Sequence, residues 1–191
     1  MRKIVFDIET SNIFSDVGSA DPAALDIAVV GIYDSETNSY STYLKEELKD
    51  LWPVLERADI LVGFYSEHFD LPLLNKYYPG DLSKIKQLDI LKEIRKQFGR
   101  GMSLDKLAEG TLGKGKSGHG LKATEWWKQG EYDKVREYCL DDVRITKEIY
   151  DYALTNQKLS FKEGGQLREF KLDTSDWETP GEHKMTFSMP F

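Results

Sequence analysis

Cysteine is nearly absent from this chain, and long apolar runs are absent altogether. The one cysteine, Cys139, excludes an internal disulfide framework and favours a reducing compartment, so we expect a cytoplasmic protein. No apolar run approaches the ~20 residues that a membrane-spanning helix needs, so no membrane partner is predicted. The first apolar stretch is interrupted by Asp7, whereas a secretory signal needs a longer uncharged one.

Positive charge is also scarce. The chain has 26 Lys and Arg residues against 33 Asp and Glu residues, which gives a net charge of −7. Proteins that bind duplex DNA through broad electrostatic surfaces are usually basic, so this balance argues against such a surface. It is compatible with an enzyme that holds a short strand in a cleft, because a divalent cation bound by acidic residues creates a local positive site.

The chain does have the composition of a globular domain, with 40% hydrophobic and 12% aromatic residues among its 191 positions. Strands are predicted at residues 4–8, 25–33, 39–44, 60–65 and 85–88. Helices are predicted at residues 45–57, 70–78, 90–98, 103–109 and 132–154. Pro53 conflicts with the first of these helices. Three strands in succession, followed by strands that alternate with helices, predict an α/β fold with a mixed five-stranded sheet flanked by helices.

The C-terminal part is predicted to form a small hairpin. Two short alternating runs from Leu159 onward flank Gly164 and Gly165, which are typical of a hairpin turn. The last residues carry proline, glycine and charges, and they are predicted to form a loosely held tail. We therefore divide the chain into a main domain at residues 1–157 and a hairpin with its tail at residues 158–191.

Asp7 and Glu9 stand two residues apart at the end of the first predicted strand, so their side chains share one face. Two neighbouring carboxylates repel each other and resist burial. A divalent cation relieves both problems, and Mg²⁺ and Mn²⁺ prefer such oxygen ligands. The alternative is that the strand ends here and that both acids face solvent.

Two further acidic positions have both functional and structural interpretations. Asp142 lies four residues after Tyr138 on the apolar face of the longest predicted helix. A carboxylate on that face needs a partner, either a metal ion or a buried Arg or Lys. Asp70 precedes Leu71 and Pro72, a context in which Asp is a preferred helix N-cap and Pro is favoured in the first turn. Asp70 is therefore either a site residue or a cap.

These acidic residues belong to three motifs. The motifs are Phe6-Asp7-Ile8-Glu9-Thr10, Gly63 through Phe69-Asp70-Leu71-Pro72-Leu73-Leu74, and Tyr138-Cys139-Leu140-Asp141-Asp142. Over residues 2–152 this arrangement resembles the DEDD-type 3′–5′ exonucleases, above all the proofreading domain of family-B DNA polymerases and its stand-alone relatives. The resemblance implies a ribonuclease H-like fold. Tyr138 before the final Asp, with Glu137 where the other subclass has His, is similar to the tyrosine subclass.

The resemblance implies hydrolysis from the 3′ end of single-stranded nucleic acid, with DNA preferred, and release of nucleoside 5′-monophosphates. It implies two divalent cations, Mg²⁺ or Mn²⁺, held by Asp7, Glu9, Asp70 and Asp142, with Asp7 bridging both ions. Tyr138 would orient the attacking water, since a tyrosine of ordinary pKa is a poor base at neutral pH. A non-catalytic nucleic-acid-binding or scaffold domain of the same fold and a metal-dependent endonuclease are the alternatives.

Substrate contacts are expected on both sides of the acidic residues. Thr10 closes the first motif, and Tyr65 stands where the polymerase relatives commonly carry a strand-contacting Asn. The Gly- and Lys-rich segment 111–120 is predicted to be a basic loop. The lysines expected to meet substrate phosphates are Lys114, Lys116 and Lys122. The alternative is a solvated surface loop without a role in binding.

Residues 110–117 also satisfy the pattern of a nucleotide-binding P-loop. That motif needs a buried strand before it and a helix directly after it. Here an amphipathic helix is predicted before the segment, and Gly118 and Gly120 oppose a helix after it. We therefore do not expect nucleotide binding through a P-loop.

Overall fold

A computed structural model describes residues 1–114 and 120–179, except for the side chains of residues 120 and 121. The main sheet is built from β1 (Lys3–Thr10), β2 (Ile27–Asp34), β3 (Ser39–Leu44), β4 (Ile60–Gly63) and β5 (Lys86–Asp89). The strand order is β3-β2-β1-β4-β5. The first three strands are antiparallel, whereas β4 runs parallel to β1 and β5 parallel to β4. The predicted α/β fold with a mixed five-stranded sheet flanked by helices is confirmed.

Helices lie on both faces of this sheet. Those within the described ranges are α1 (Phe14–Val17), α2 (Leu48–Glu56), α3 (Asp70–Asn75), α4 (Ile90–Phe98), α5 (Leu104–Leu107), α6 (Gly120–Lys128) and α7 (Tyr132–Asn156). The helix predicted from residue 45 begins as a 3₁₀ turn at Lys45–Glu47, so α2 starts later and contains Pro53 in its second half. None of the described helices combines the length and the hydrophobicity that crossing a bilayer requires.

Helix α6 was not predicted, because glycines surround it and its first residue lies in the segment that we expected to be a loop. The sequence contains one indication of where this helix ends, which is Gly130. It follows the helix with a φ of +76°, a left-handed conformation that glycine commonly supplies after a helix end. The Gln129 N–H closes the last turn by donating to the Glu125 carbonyl.

Strand β1 divides the core between the two faces of the sheet. Ile4 and Phe6 point to the layer that contains α2 and α3, and both are buried. Val5 points to the opposite layer, which contains α4 and α7. Because side chains alternate along a strand, Asp7 and Glu9 share the face of Val5 and turn towards α7.

The predicted C-terminal hairpin is present as β6 (Lys158–Glu163) and β7 (Gln166–Lys171). Both glycines of its turn have positive φ, at +58° for Gly164 and +78° for Gly165. Leu159, Phe161 and Phe170 join the buried cluster on the α7 side of the main sheet. The hairpin therefore shares a core with the main sheet.

The segment after the hairpin is held in place as far as Thr179. Trp177 is 1% exposed and stacks on Tyr150, with 5.6 Å between the ring centroids. The Lys86 ammonium donates to the carbonyls of Asp176, Trp177 and Thr179 at 2.8, 2.9 and 2.8 Å. Residues 172–179 are thus packed against the main domain. The last residues, whose proline, glycine and charges led to the prediction of a loosely held tail, lie outside the described part, which ends at residue 179.

Candidate active site

Strand β1 and helix α7 bring three acidic side chains together. Asp7 and Glu9 face the helix, and Asp142 meets them from its middle. One carboxylate oxygen of each lies within 4.8 Å of the other two. Among residues 1–114 and 120–179, no Lys or Arg forms an ion pair with any of the three. The buried basic partner considered for Asp142 is therefore not found in these ranges.

Asp70 lies beside this triplet without belonging to it. It is the first residue of α3 and is 5% exposed, and the negative charge of Asp7 acts on its carboxyl group. The N-cap position is occupied by Phe69, and no side chain caps the helix. The helix-cap interpretation of Asp70 thus finds no support, and its burial beside another acid requires a different explanation.

Burial perturbs all four acids strongly. It raises the pKa of Asp7 to about 6 and the pKa of Asp142 to about 8. The pKa values of Glu9 and Asp70 lie well above their ordinary range, first because of desolvation and then because of neighbouring carboxylates. Because ionisation of these four carboxyl groups is unfavourable in the metal-free fold, a bound multivalent cation would stabilise their ionised forms strongly.

We expect the metal-free protein to lose stability as the pH rises from 5 to 8. Because the folded-state pKa values of Asp7 and Asp142 lie above their model value of 3.8, the folded state binds protons more tightly than the unfolded state. Their contribution is complete below pH 3.8 and is lost as the pH rises through about 6 and about 8. Over this pH range the two shifts together correspond to a loss on the order of 5 kcal/mol.

Urea unfolding in EDTA at several pH values measures this change. Addition of MnCl₂ at pH 8 should restore the lost stability, whereas NaCl at equal ionic strength should not, because only a bound cation favours the ionised carboxylates specifically. Equal unfolding free energies at pH 5 and pH 8 in EDTA would contradict the expectation.

A close approach between α7 and the sheet fixes the position of Asp7. The Cys139 thiol donates to the Asp7 carbonyl at 3.4 Å and lies 3.6 Å from its Oδ2. Burial raises the pKa of this thiol well above its usual value, so it stays a protonated donor. Gly31, which pairs with Asp7 across β1 and β2, allows the approach, since an added Cβ would lie 2.9 Å from the Cys139 sulfur.

Replacing Gly31 with alanine should therefore disturb the site and the fold together. The new methyl group pushes α7 away from β1 and separates Asp142 from Asp7, with a stability loss of about 1 to 3 kcal/mol. Denaturant unfolding and the Mn²⁺ affinity report the two effects. Adding Cys139→Ala to this variant removes the sulfur that the new methyl group contacts. The double variant should therefore recover most of the lost stability and most of the lost Mn²⁺ affinity. A Gly31→Ala protein with unchanged metal affinity would show that the spacing has no role.

Two recesses adjoin the acidic cluster. The larger has a volume of about 380 Å³ and is bordered by Asp7, Phe64, Tyr65, Leu91, Tyr138 and Asp142. The smaller has a volume of about 240 Å³ and is bordered by Glu9, Thr10, Phe14, Phe69 and Thr124. The acids thus stand between two recesses that differ in character, because the smaller one is bordered mainly by apolar side chains.

The predicted substrate-binding residues are divided between the site and the surface. Tyr65 and Thr10 each border one recess. The Lys114 ammonium is paired with Glu148 at 2.5 Å, and Lys122 is exposed on α6. Neither lysine borders either recess. Lys116 lies outside the described residues, as do the neighbouring positions 115 and 117 of the P-loop pattern. Residues Ala108–Leu112, which overlap the start of that pattern, continue from α5 as a π-helical turn.

Helix α6 and helix α5 add residues to the site that sequence reasoning missed. The Thr124 hydroxyl donates to the Thr10 carbonyl at 3.3 Å, and the Trp126 ring meets the Tyr138 ring edge-to-face at 6.0 Å. Asp105 borders the larger recess and contributes to the raised pKa of Asp142. No sequence motif indicated them, because their importance depends on where α5 and α6 pack.

The fold and the site together define a protein of the ribonuclease H superfamily. The sequence model of that superfamily matches residues 4–154, and the chain belongs to it. The structure is similar to the family B DNA polymerase from the hyperthermophilic archaeon Pyrobaculum calidifontis, with a TM-score of 0.62 and 22% identity over 81% of this chain. The match spans 24% of the polymerase chain. No curated protein matches the sequence. The expected likeness to family B polymerases is confirmed as a likeness of fold.

Proposed function

We propose that this protein is a metal-dependent 3′–5′ exonuclease that acts on single-stranded nucleic acid, with DNA preferred. The observation that carries the proposal is the convergence of the Asp7, Glu9 and Asp142 carboxylates within 4.8 Å at the edge of a cleft. No basic side chain in the described ranges neutralises them. Oxygen donors in this density suit Mg²⁺ or Mn²⁺.

In this proposal the four acids hold two cations. Asp7 would be a ligand of both cations, Glu9 and Asp142 would be ligands of one, and Asp70 would be a ligand of the other. Divalent cations held there supply a nucleophile from water at neutral pH and stabilise the leaving 3′-oxygen. The raised pKa values of the acids support this assignment, since a bound cation is what makes four neighbouring ionised carboxylates stable.

Tyr138 orients the attacking water through its hydroxyl group. Its pKa is raised far above the ordinary value of 10.0, first by burial and then by Asp142 and Glu9. The hydroxyl therefore keeps its proton at neutral pH and acts as a hydrogen-bonding group rather than as a base. Trp126, packed edge-to-face against the ring, holds that orientation.

The two recesses suit the end of a strand. The apolar recess beside Glu9 and Thr10, with Phe14 and Phe69 on its wall, accepts the terminal nucleotide. The larger recess beside Asp7 and Tyr138 accepts the phosphate and the preceding nucleotide. A buried free thiol at Cys139 supports a reducing, cytoplasmic setting for this activity.

The test uses 5′-labelled single-stranded DNA and RNA of the same sequence, with Mg²⁺ or Mn²⁺ present. We expect a ladder that shortens from the 3′ end, release of 5′-monophosphates and complete inhibition by EDTA. Closed circular single-stranded DNA is the control, because an endonuclease cuts it and an exonuclease does not. A protein that binds Mn²⁺ in calorimetry and degrades neither polymer is instead a non-catalytic binding domain.

A further inference from the structure

Tyr65, in the loop between β4 and α3, has a backbone conformation that its side chain disfavours. Its φ is +64°, in the left-handed region, where a bulky L-residue is strained. The strain is maintained by Asp89, which accepts hydrogen bonds from the Tyr65 N–H at 2.8 Å and from the Glu67 N–H at 3.2 Å. Such outliers persist only where the surrounding structure enforces them, and they concentrate at functional sites.

Asp89 also fixes this loop to helix α4. It is 4% exposed, and its carboxylate caps the helix by accepting from the N–H groups of Leu91 and Lys92. One buried side chain therefore sets the position of the loop and of α4 together. As a result Tyr65 borders the larger recess, whose lining also includes Leu91, Asp7 and Asp142.

The Tyr65 ring, which borders that recess, is packed against two other side chains. Its centroid lies 5.1 Å from the guanidinium carbon of Arg95 and 4.8 Å from the centroid of the His68 ring. Arg95 is exposed, and a Cβ added at Gly101 would lie 2.8 Å from its Nε. The arginine stem therefore lies between Gly101 and Tyr65, beside residues that border the recess.

Arg95 is placed as an anion-binding group. Within residues 1–114 and 120–179 it forms no ion pair, whereas Arg2, Arg100 and Arg144 each pair with an acid. A polyanionic strand that enters a cleft rich in carboxylates meets repulsion, and a guanidinium stacked on a ring that borders the cleft offsets it. The planar fork of arginine, stacked on an aromatic ring, matches the geometry of a phosphate group.

We propose that Arg95, supported by the strained Tyr65, binds a backbone phosphate of the single strand in the larger recess. The inference rests on the proposed exonuclease function, because it assigns the strand to the same cleft. Tyr65 is a positioning residue in this arrangement, and its left-handed conformation is the means by which the ring reaches Arg95. The contact is with phosphate, so it is independent of sequence.

The first test compares Arg95→Gln with Arg100→Gln, a matched exposed arginine whose partner is Glu163. We expect Arg95→Gln to raise the KM for a 5′-labelled oligothymidylate by about 10-fold, the value of one charge-assisted contact, and to leave kcat within about twofold. The slope of log(kcat/KM) against log[NaCl] should become shallower by about 0.7, the contribution of one phosphate contact on a single strand. Arg100→Gln should match the wild type in all three.

The second test separates positioning from a structural role. Glycine adopts the left-handed region freely and has no side chain to contact the strand, so Tyr65→Gly should keep or raise the melting temperature, by up to about 4 °C, while its KM rises as in Arg95→Gln. The double variant should have the KM of either single variant, because the two residues form one contact. A melting temperature that falls with an unchanged KM would assign Tyr65 a structural role only and would overturn the proposal.

Anisotropy titration of the labelled oligothymidylate in Ca²⁺ distinguishes this inference from the function on which it rests. If the wild type degrades DNA but Arg95→Gln keeps its affinity, KM and salt slope, the phosphate contact is refuted and the exonuclease stands. If the wild type binds without degrading and Arg95→Gln weakens binding by about 10-fold, the contact stands and the exonuclease fails. If the wild type neither binds nor degrades the strand, both are overturned.

Discussion

Asp7→Asn should abolish nuclease activity, with a loss of about 10⁴-fold in kcat or more, while the metal-free protein becomes no less stable. Asp7 contributes to the raised pKa values of Glu9, Asp70 and Asp142, so its carboxylate lies close enough to all three to hold cations together with them. Burial raises its pKa to about 6, so above that pH its ionised carboxylate lowers the stability of the metal-free fold. The uncharged amide of asparagine removes this cost in stability, and it also removes a metal ligand.

Asp34→Asn is the matched control for this result. Asp34 is also a buried strand aspartate, but its carboxylate is paired with the Arg2 guanidinium at 2.6 Å. Its replacement should cost about 3 kcal/mol of stability and leave the kcat of the folded enzyme unchanged. Steady-state kinetics in Mn²⁺ and urea unfolding in EDTA measure the two quantities. Substantial activity in Asp7→Asn would remove Asp7 from the metal site.

Tyr138→Phe should lower kcat by about 100-fold and leave the Mn²⁺ affinity unchanged. The ring packs against Trp126, Val29 and Ala123, so phenylalanine keeps the packing and loses only the hydroxyl group. The raised pKa keeps Tyr138 protonated between pH 6 and pH 9. Loss of its hydroxyl group should therefore lower kcat by the same factor at every pH in this range, and the shape of the pH profile should not change. Kinetics over this range and calorimetric Mn²⁺ titration check both parts.

Tyr150→Phe provides the comparison on the same helix. The Tyr150 hydroxyl donates to Glu178 at 3.2 Å on the far part of α7, where its ring stacks on Trp177. Removing that hydroxyl should lower stability by about 1 kcal/mol and leave kcat unchanged. If Tyr138→Phe keeps the wild-type kcat, the hydroxyl does not take part in catalysis.

The sheet was predictable because its strands are short apolar runs bounded by turn residues. Residues 39–44 and 90–98 were predicted with the bounds that β3 and α4 have in the structure. The boundaries of β2 and β4 differ by a few residues, since hydrogen bonding to a neighbouring strand, rather than local composition, decides where a strand ends. Helix α6 was missed because glycines flank it, and the contact between Trp126 and Tyr138 that helps to hold it comes from tertiary packing, which the local sequence does not indicate.

The candidate site was predictable in its parts and not in its assembly. The sequence could not decide whether Asp70 is a helix cap or a buried site residue, because both are found at the start of a helix. Its lack of any capping hydrogen bond decided against the cap. The support that Tyr65 gives to Arg95 was also invisible, since a left-handed backbone at a tyrosine depends on the buried Asp89.

The sequence by itself determined that Asp7 shares a face with Glu9, and Tyr138 with Asp142, because side-chain direction within a strand or a helix follows from its local period. Only the tertiary structure decided that these two faces meet. Their approach depends on the missing side chain of Gly31, which pairs with Asp7 and lets α7 lie close to the sheet. Contacts between segments so far apart in the chain follow from packing, which no local pattern encodes.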